Sequence, residues 1–404
     1  MSGDKSKASF LRWREIPAGV WALGIVSLLM DLSSEMIHAL LPLYLVTVLG
    51  VSTLAVGVIE GIAEATTMIV KIFSGALSDR LGKRKWLAAA GYGLAALTKP
   101  IFPLAPSFGW LVAARFVDRI GKGIRGAPRD ALVADLTPAD LRGASFGLRQ
   151  SLDTIGAILG PLVAIVFMAV TANHFTFVFW IAVVPAFLSF AVILFGVDEP
   201  ARPAAVRTVR APLSVAELRR LGTPYWLVVG VAAVFTLARF SEAFLLLRAQ
   251  SIGLPLALVP IVMVVMNIVY AGSAWPAGVL SDSIGRFGLL AGGFLLLILA
   301  DLALAFATGL AALGVGVALW GLHMGLTQGL FATLVADTAP PELRGTAFGM
   351  FNLVGGIATL AASILAGALW DAAGPGGTFV AGAIFAAISL AALPLLRRSA
   401  EAPA

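Results

Sequence analysis

Residues 110–135, WLVAARFVDRIGKGIRGAPRDALVAD, combine two properties that seldom share one helix. The stretch begins in apolar sequence and is long enough to cross a bilayer, yet it carries Arg115, Asp118, Arg119, Lys122, Arg125, Arg129, Asp130 and Asp135. A charge near the bilayer centre costs roughly 2.5–3.5 kcal/mol on insertion scales unless it pairs or lines a wet cavity. Such a helix cannot face lipid all round. Arg115, Arg119 and Lys122 recur at i, i+4 and i+7 and share one face, with Asp118 a turn away from Arg115 and from Lys122. That face demands a polar interior opposite it.

The remaining sequence is built for lipid. The chain is 59% hydrophobic and 12% charged, whereas soluble domains are about 25% charged. At roughly 20 residues per helix, a dozen spans with short loops fit. Hydrophobic runs place them at 18–48, 53–78, 86–105, 109–136, 142–170, 174–196, 223–249, 255–281, 287–307, 310–336, 342–370 and 376–396. The net charge of +6 does not imply nucleic acid, because Lys and Arg sit at the ends of apolar runs and form no single patch. Most of them fall on the tails and even-numbered connections, and the opposite side carries only Arg248, at the very end of the 223–249 span. The positive-inside rule then puts both termini in the cytoplasm of a multi-pass protein of the cytoplasmic (inner) membrane. Residues 1–17 read as a retained tail with no small-residue cleavage pattern. The chain has no cysteine, which excludes disulfides and thiolate metal sites.

Residues 197–222, rich in Pro, Ala and Arg, read as a cytoplasmic linker between an 18–196 bundle and a 223–396 bundle, with a second tail at 397–404. Two repeats support that division. LVADLTPADLRGASFG at 132–147 returns as LVADTAPPELRGTAFG at 334–349, ten of sixteen residues identical at an offset of 202. GALSDRLGKR at 75–84 returns as GVLSDSIGRF at 278–287, five of ten at an offset of 203. The expected fold is an all-α membrane protein of twelve helices in two pseudo-symmetric six-helix bundles, with a site between like halves.

GALSDRLGKRK at 75–85 resembles the loop motif between the second and third helices of the major facilitator superfamily, and GVLSDSIGR is its weaker copy. The resemblance extends over essentially the whole chain. It implies a conformational latch of Gly75, Asp79, Arg80, Gly82, Lys83, Asp135 and Arg142. Asp79 would accept hydrogen bonds from the start of the eleventh span, where the helix dipole favours an anion. Lys83 stands where the family has Arg, so a bidentate pair with Asp135 is not available. Arg115 is placed like the fourth-helix arginine of proton-coupled members, although Asp118 and Arg119 replace the usual Gln and Gly. Gly156, Gly160 and Pro161 form GAILGP, similar to the GxxxGP motif of the efflux (antiporter) branch, without its trailing glycines.

Other charges inside spans are candidate coupling groups. Asp31, Glu35 and His38 lie at i, i+4 and i+7 of the first span; Glu60 and Glu64 are in the second, and Arg149 and Asp153 in the fifth. The second half offers Arg239, Glu242, Asn267, His323, Gln328 and Asn352 as cavity residues. Moving an arginine between carboxylates loads or releases a proton, so Asp31 or Glu35, helped by Arg115 and Asp118, is the expected proton carrier. Arg149 with Asp153, and Asp130 with Arg125 or Arg129, read better as static pairs and helix-end caps than as coupling sites.

The function expected is proton-coupled efflux of a small molecule by a monomer in the lipid bilayer, with no cofactor and the proton gradient as energy source. Divalent metal transport through His38, Glu35 and His323 and proton-coupled uptake of a metabolite are the alternatives. No nucleophile with a base, phosphate loop or soluble catalytic domain supports an enzyme.

Overall fold

The structure, a computed structural model, describes residues 15–138, 141–199, 218, 220–327, 329–340 and 343–401. Most of the N-terminal tail and of the 197–222 linker, together with Gln328, lie outside the described residues, as does the side chain of Asp79.

The backbone forms α1 (Ala18–Thr47), α2 (Thr53–Leu81), α3 (Arg84–Thr98), α4 (Ile101–Leu104), α5 (Phe108–Leu136), α6 (Arg142–Val170) and α7 (Phe175–Gly196). After the linker come α8 (Thr223–Ala238), α9 (Ala243–Ser251), α10 (Ile261–Ala305), α11 (Leu310–Thr327), α12 (Leu330–Thr338) and α13 (Arg344–Glu401). Helices are the outcome because lipid offers no partner to a free N–H or C=O, so each span must satisfy its own backbone. α10 and α13 each turn back on themselves, at Gly285 (φ 71°) and Gly374 (φ 75°). A left-handed residue is needed there, and glycine adopts it without a Cβ penalty.

Ten helical runs are long and apolar enough to cross a membrane, the last being 344–398. Dividing that run at Gly374 and adding the charged α5 brings the described spans to twelve. The protein is thus an all-helical membrane protein. The third and seventh spans are broken, the third at Lys99–Pro100 and the seventh at 239–242.

Residues pack into two compact units. The first comprises 1–37, 70–163 and 174–210. Its core joins Val20, Leu23, Val26 and Met30 of α1 to Ala88, Tyr92 and Ala95 of α3, Leu132 and Val133 of α5, and Ala186 and Ile193 of α7. Apolar burial between helices gains little in lipid, so close backbone approach and interhelical hydrogen bonds hold the bundle. A Cβ on Gly91 would lie 2.7 Å from the Gly121 carbonyl, which shows how tightly α3 crosses α5. The Ser33 hydroxyl donates to the Ala182 carbonyl at 2.6 Å and Ser189 to Val26 at 2.7 Å, pinning α1 to α7. Glu199 accepts the amides of Arg84 (2.8 Å) and Lys85 (2.9 Å), an anion on the first turn of α3.

The second unit comprises 38–69, 164–173 and 211–404. Within it, α2 runs against α13 at van der Waals distance. A Cβ on Gly57 would collide with the Ser363 carbonyl oxygen, and one on Gly367 would lie 2.5 Å from that of Thr53. At the end of this seam Asp371 closes the start of α2, taking the Thr53 hydroxyl on one oxygen and the Leu54 amide, at 3.0 Å, on the other. Tyr225 of α8 donates to the Ala347 carbonyl of α13 at 2.9 Å.

The sequence repeat has a structural counterpart. Asp135 pairs with Arg84 at 3.0 Å, and Asp337, its equivalent at the offset of 202, pairs with Arg286. The partner of Asp135 is therefore Arg84, where the family resemblance pointed to Lys83. Lys83 precedes the first helical residue and is exposed, whereas Arg84 begins α3 and is directed at α5.

Gly57→Val should force α2 away from α13 and lower stability by about 1–3 kcal/mol, the usual penalty for overpacking. Thermal unfolding in detergent reads the effect, and an unchanged midpoint would show that the two helices do not touch there.

Candidate functional site

The charges of α5 are brought inside the first unit. Arg115, Asp118, Arg119 and Arg125 are all buried, at 2%, 3%, 1% and 4% exposure. Burial of this kind requires partners. Asp118 is held by Lys99 at 2.9 Å, with Arg119 Nε at 3.8 Å from its other oxygen. The Lys99 ammonium also donates to Ser34 at 3.1 Å. Lys99 stands at the break of the third span, where Pro100 stops α3 and turns the lysine into the bundle. Arg125 lies over the Tyr92 ring, 5.0 Å from its centre.

A second layer is shared between α5 and α6. Arg129 contacts Asp130 at 3.1 Å and Asp153 at 3.6 Å, while Arg149 contacts Asp153 at 3.4 Å and Asp130 at 3.9 Å. Two arginines thus share two aspartates. The pairing Arg149–Asp153 expected from sequence is present, and Asp130 joins it through Arg129.

Asp31 and Glu35 of α1 are half-buried at the seam with α6. A Cβ on Gly156 would stand 3.2 Å from the Asp31 Cβ, and one on Gly160 would stand 2.8 Å from the Glu35 Cβ. The same glycines would meet the Leu28 and Leu32 carbonyls at 2.5 and 2.9 Å, so the GAILGP segment rides on the α1 backbone. Charged groups acting on Asp31 are Asp153, Lys122, Arg125 and Glu35. Asp118, expected to assist Asp31 and Glu35, is engaged by Lys99 instead.

In the second unit, His38 Nε2 approaches Glu60 at 3.6 Å, both buried. Glu64, Glu242, Asn267 and Asn352 are half-buried. His323 of α11 is fully buried beside Trp320 (ring centres 5.4 Å) and Phe235 (6.4 Å), and Arg239 lies 5.9 Å from the Phe235 ring centre. An aromatic cluster of Phe235, Phe240, Phe244, Trp320 and Phe379 therefore surrounds the seventh-span break. Among the described residues, no three His, Cys, Asp or Glu side chains are grouped to hold a metal ion.

Of the expected latch residues, Gly75 comes close to Ala127 of α5, 3.5 Å from a Cβ at that position, and Gly82 has a positive φ of 62°. Arg80 and Arg142 are exposed.

The model of the Major Facilitator Superfamily matches residues 23–363. This chain is a major facilitator superfamily protein. It is accordingly a transporter and not an enzyme. A relative over nearly its whole length is the uncharacterized MFS-type transporter MJ1317 of Methanocaldococcus jannaschii, 34% identical over 384 residues, 93% of this chain and 94% of that one. The quinolone resistance protein NorA of Staphylococcus aureus is 28% identical over 151 residues, 37% of this chain and 38% of its own. Among solved structures, a bacterial homolog of the human lysosomal transporter Spinster superposes with a TM-score of 0.75 at 16% identity, over 94% of this chain and 96% of that one. A POT family transporter in complex with 5-aminolevulinic acid gives 0.77 at 12% identity, over 95% and 96%. At such identities these superpositions show the fold.

Two buried ionisable residues of this transporter, Lys99 and Asp301, were not among the site residues expected from sequence. Each is a single ionisable residue inside an apolar run, which is the signal that marks them. Lys99→Met should cost about 3–5 kcal/mol by leaving Asp118 buried without its ammonium partner. Adding Asp118→Leu should recover most of that loss in the same thermal assay; a double variant as unstable as the single one would show that the pair does not exist.

Proposed function

We propose that this transporter exports a small molecule across the cytoplasmic membrane by alternating access, driven by protons, with both termini in the cytoplasm and the monomer as working unit. The observation that carries the reading is the seam between α1 and α6. Asp31 and Glu35 sit against Gly156 and Gly160, so any bend of α6 at Pro161 alters the surroundings of both acids. Proline removes an i to i−4 hydrogen bond and makes such a bend cheap. Lys122 and Arg125 lie close enough to Asp31 to stabilise its carboxylate in one arrangement, and their withdrawal favours the protonated form in another.

Arg129 and Arg149, each touching both Asp130 and Asp153, provide cations able to change partners over short distances. Similarity of GAILGP to the efflux-branch motif, and the partial match to NorA, support export over uptake. The contact of α2 with α13 under Asp371 is suited to closing one end of the pathway, since it is polar at its tip, where water can replace the Asp371 hydrogen bonds to Thr53 and Leu54.

In proteoliposomes with an imposed pH gradient, Asp31→Asn combined with Glu35→Gln should reduce gradient-driven flux of an exported compound by at least about tenfold. Substrate exchange at equal pH should be largely kept. Gradient-driven transport at the wild-type rate in this double variant would remove these acids from the coupling step.

A further inference from the structure

Asp301 belongs to the second limb of α10 and is fully buried, at 0% exposure. Neither carboxyl oxygen has a hydrogen-bond partner. Its position is fixed by what Gly382 of α13 leaves open: a Cβ there would lie 2.5 Å from Asp301 Oδ2 and 3.1 Å from a ring carbon of Phe240. Phe240 lies in the non-helical stretch that separates α8 from α9. The carboxyl tip is therefore placed where α10, α13 and the seventh-span break meet.

The charged and titratable groups on these elements are few. The break carries Arg239 and Glu242, α11 carries His323, the second limb of α10 carries Arg286, and α13 has none between Asp371 and Arg397; Arg248 of α9 also reaches this limb, but its guanidinium donates to the carbonyls of Leu304, Ala305 and Ala307. None forms an ion pair or hydrogen bond with Asp301. Such surroundings tolerate a neutral acid far better than a carboxylate. An acid kept in lipid at this cost, when leucine would pack without one, calls for a use.

We propose that Asp301 is a proton-binding site of the second unit, separate from Asp31 and Glu35. It is loaded as a carboxylic acid in the packing seen here and discharged when the break between α8 and α9 moves and admits water. The step is balanced simply: the O–H bond breaks, the proton passes to water, and the carboxylate remains. Discontinuous membrane helices are the usual places where such sites open. The proposal rests on the proton-coupled reading above and adds a second proton to it.

Infrared spectroscopy of the purified full-length protein tests it without substrate or gradient. The wild type should show, at pH values where an exposed aspartate is ionised, the C=O stretch of a protonated carboxylic acid that disappears reversibly as pH is raised further with helicity intact. Asp301→Asn should lack that component. Gly382→Ala, which presses on Oδ2, should shift its frequency and serves if the asparagine variant fails to fold. A band that persists until the helices unfold, or identical titrations in wild type and Asp301→Asn, would overturn the proposal. Either result leaves export through Asp31 and Glu35 untouched, while normal gradient-driven flux without those two acids would leave the Asp301 titration standing.

Discussion

An ion removed from water must find another charge or a dense set of dipoles, and in a bilayer interior that requirement outweighs every other. The first unit is arranged around it. Lys99 meets Asp118 at 2.9 Å, and Arg129 and Arg149 divide Asp130 and Asp153 between them. Replacing these residues with apolar ones would relieve the burial cost, so their presence is better explained by work than by stability. A pair of arginines shared by two aspartates has several arrangements of similar energy, and a group with several arrangements is suited to a cycle.

Close helix contact is the second constraint. Lipid tails are as apolar as leucine, so helices gain by letting backbones touch. Gly91 with Gly121, Gly156 and Gly160 on α1, and Gly57 and Gly367 between α2 and α13 supply those contacts. Their distribution differs in consequence. The first set lies inside the apolar core of one unit, the second carries the acids of α1, and the third ends at a carboxylate cap on Thr53 and Leu54. Separating α2 from α13 would break the Asp371 hydrogen bonds to Thr53 and Leu54, which water can replace, whereas separating α3 from α5 would expose Asp118 and Lys99.

The two units are unlike in chemistry although the halves of the sequence repeat. Asp135 and Asp337, equivalent in the repeat, each hold an arginine, although Arg286 corresponds to Lys83 in the repeated motif and Arg84 to Phe287. Away from those bridges, the first unit is rich in charge and the second in aromatic rings, with Asp301 and His323 buried among or beside them. Aromatic surface suits an apolar or amphipathic cargo.

The all-helical, multi-span character, the repeat and the membership of the superfamily were legible in the sequence. Each depends on composition along a line: apolar runs, punctuating glycines and matching motifs at a constant offset. The i, i+4, i+7 spacing of Asp31, Glu35 and His38 was legible for the same reason, since helical neighbours are sequence neighbours. What tertiary structure alone decided was pairing. That Asp118 belongs to Lys99, that Asp135 takes Arg84 in place of Lys83, and that the Asp301 carboxyl lies against Gly382 depend on which helices cross and how closely. Electrostatic energy in a low dielectric changes steeply over a few ångströms, and distances of that size between helices are set by packing, which no single stretch of the chain encodes.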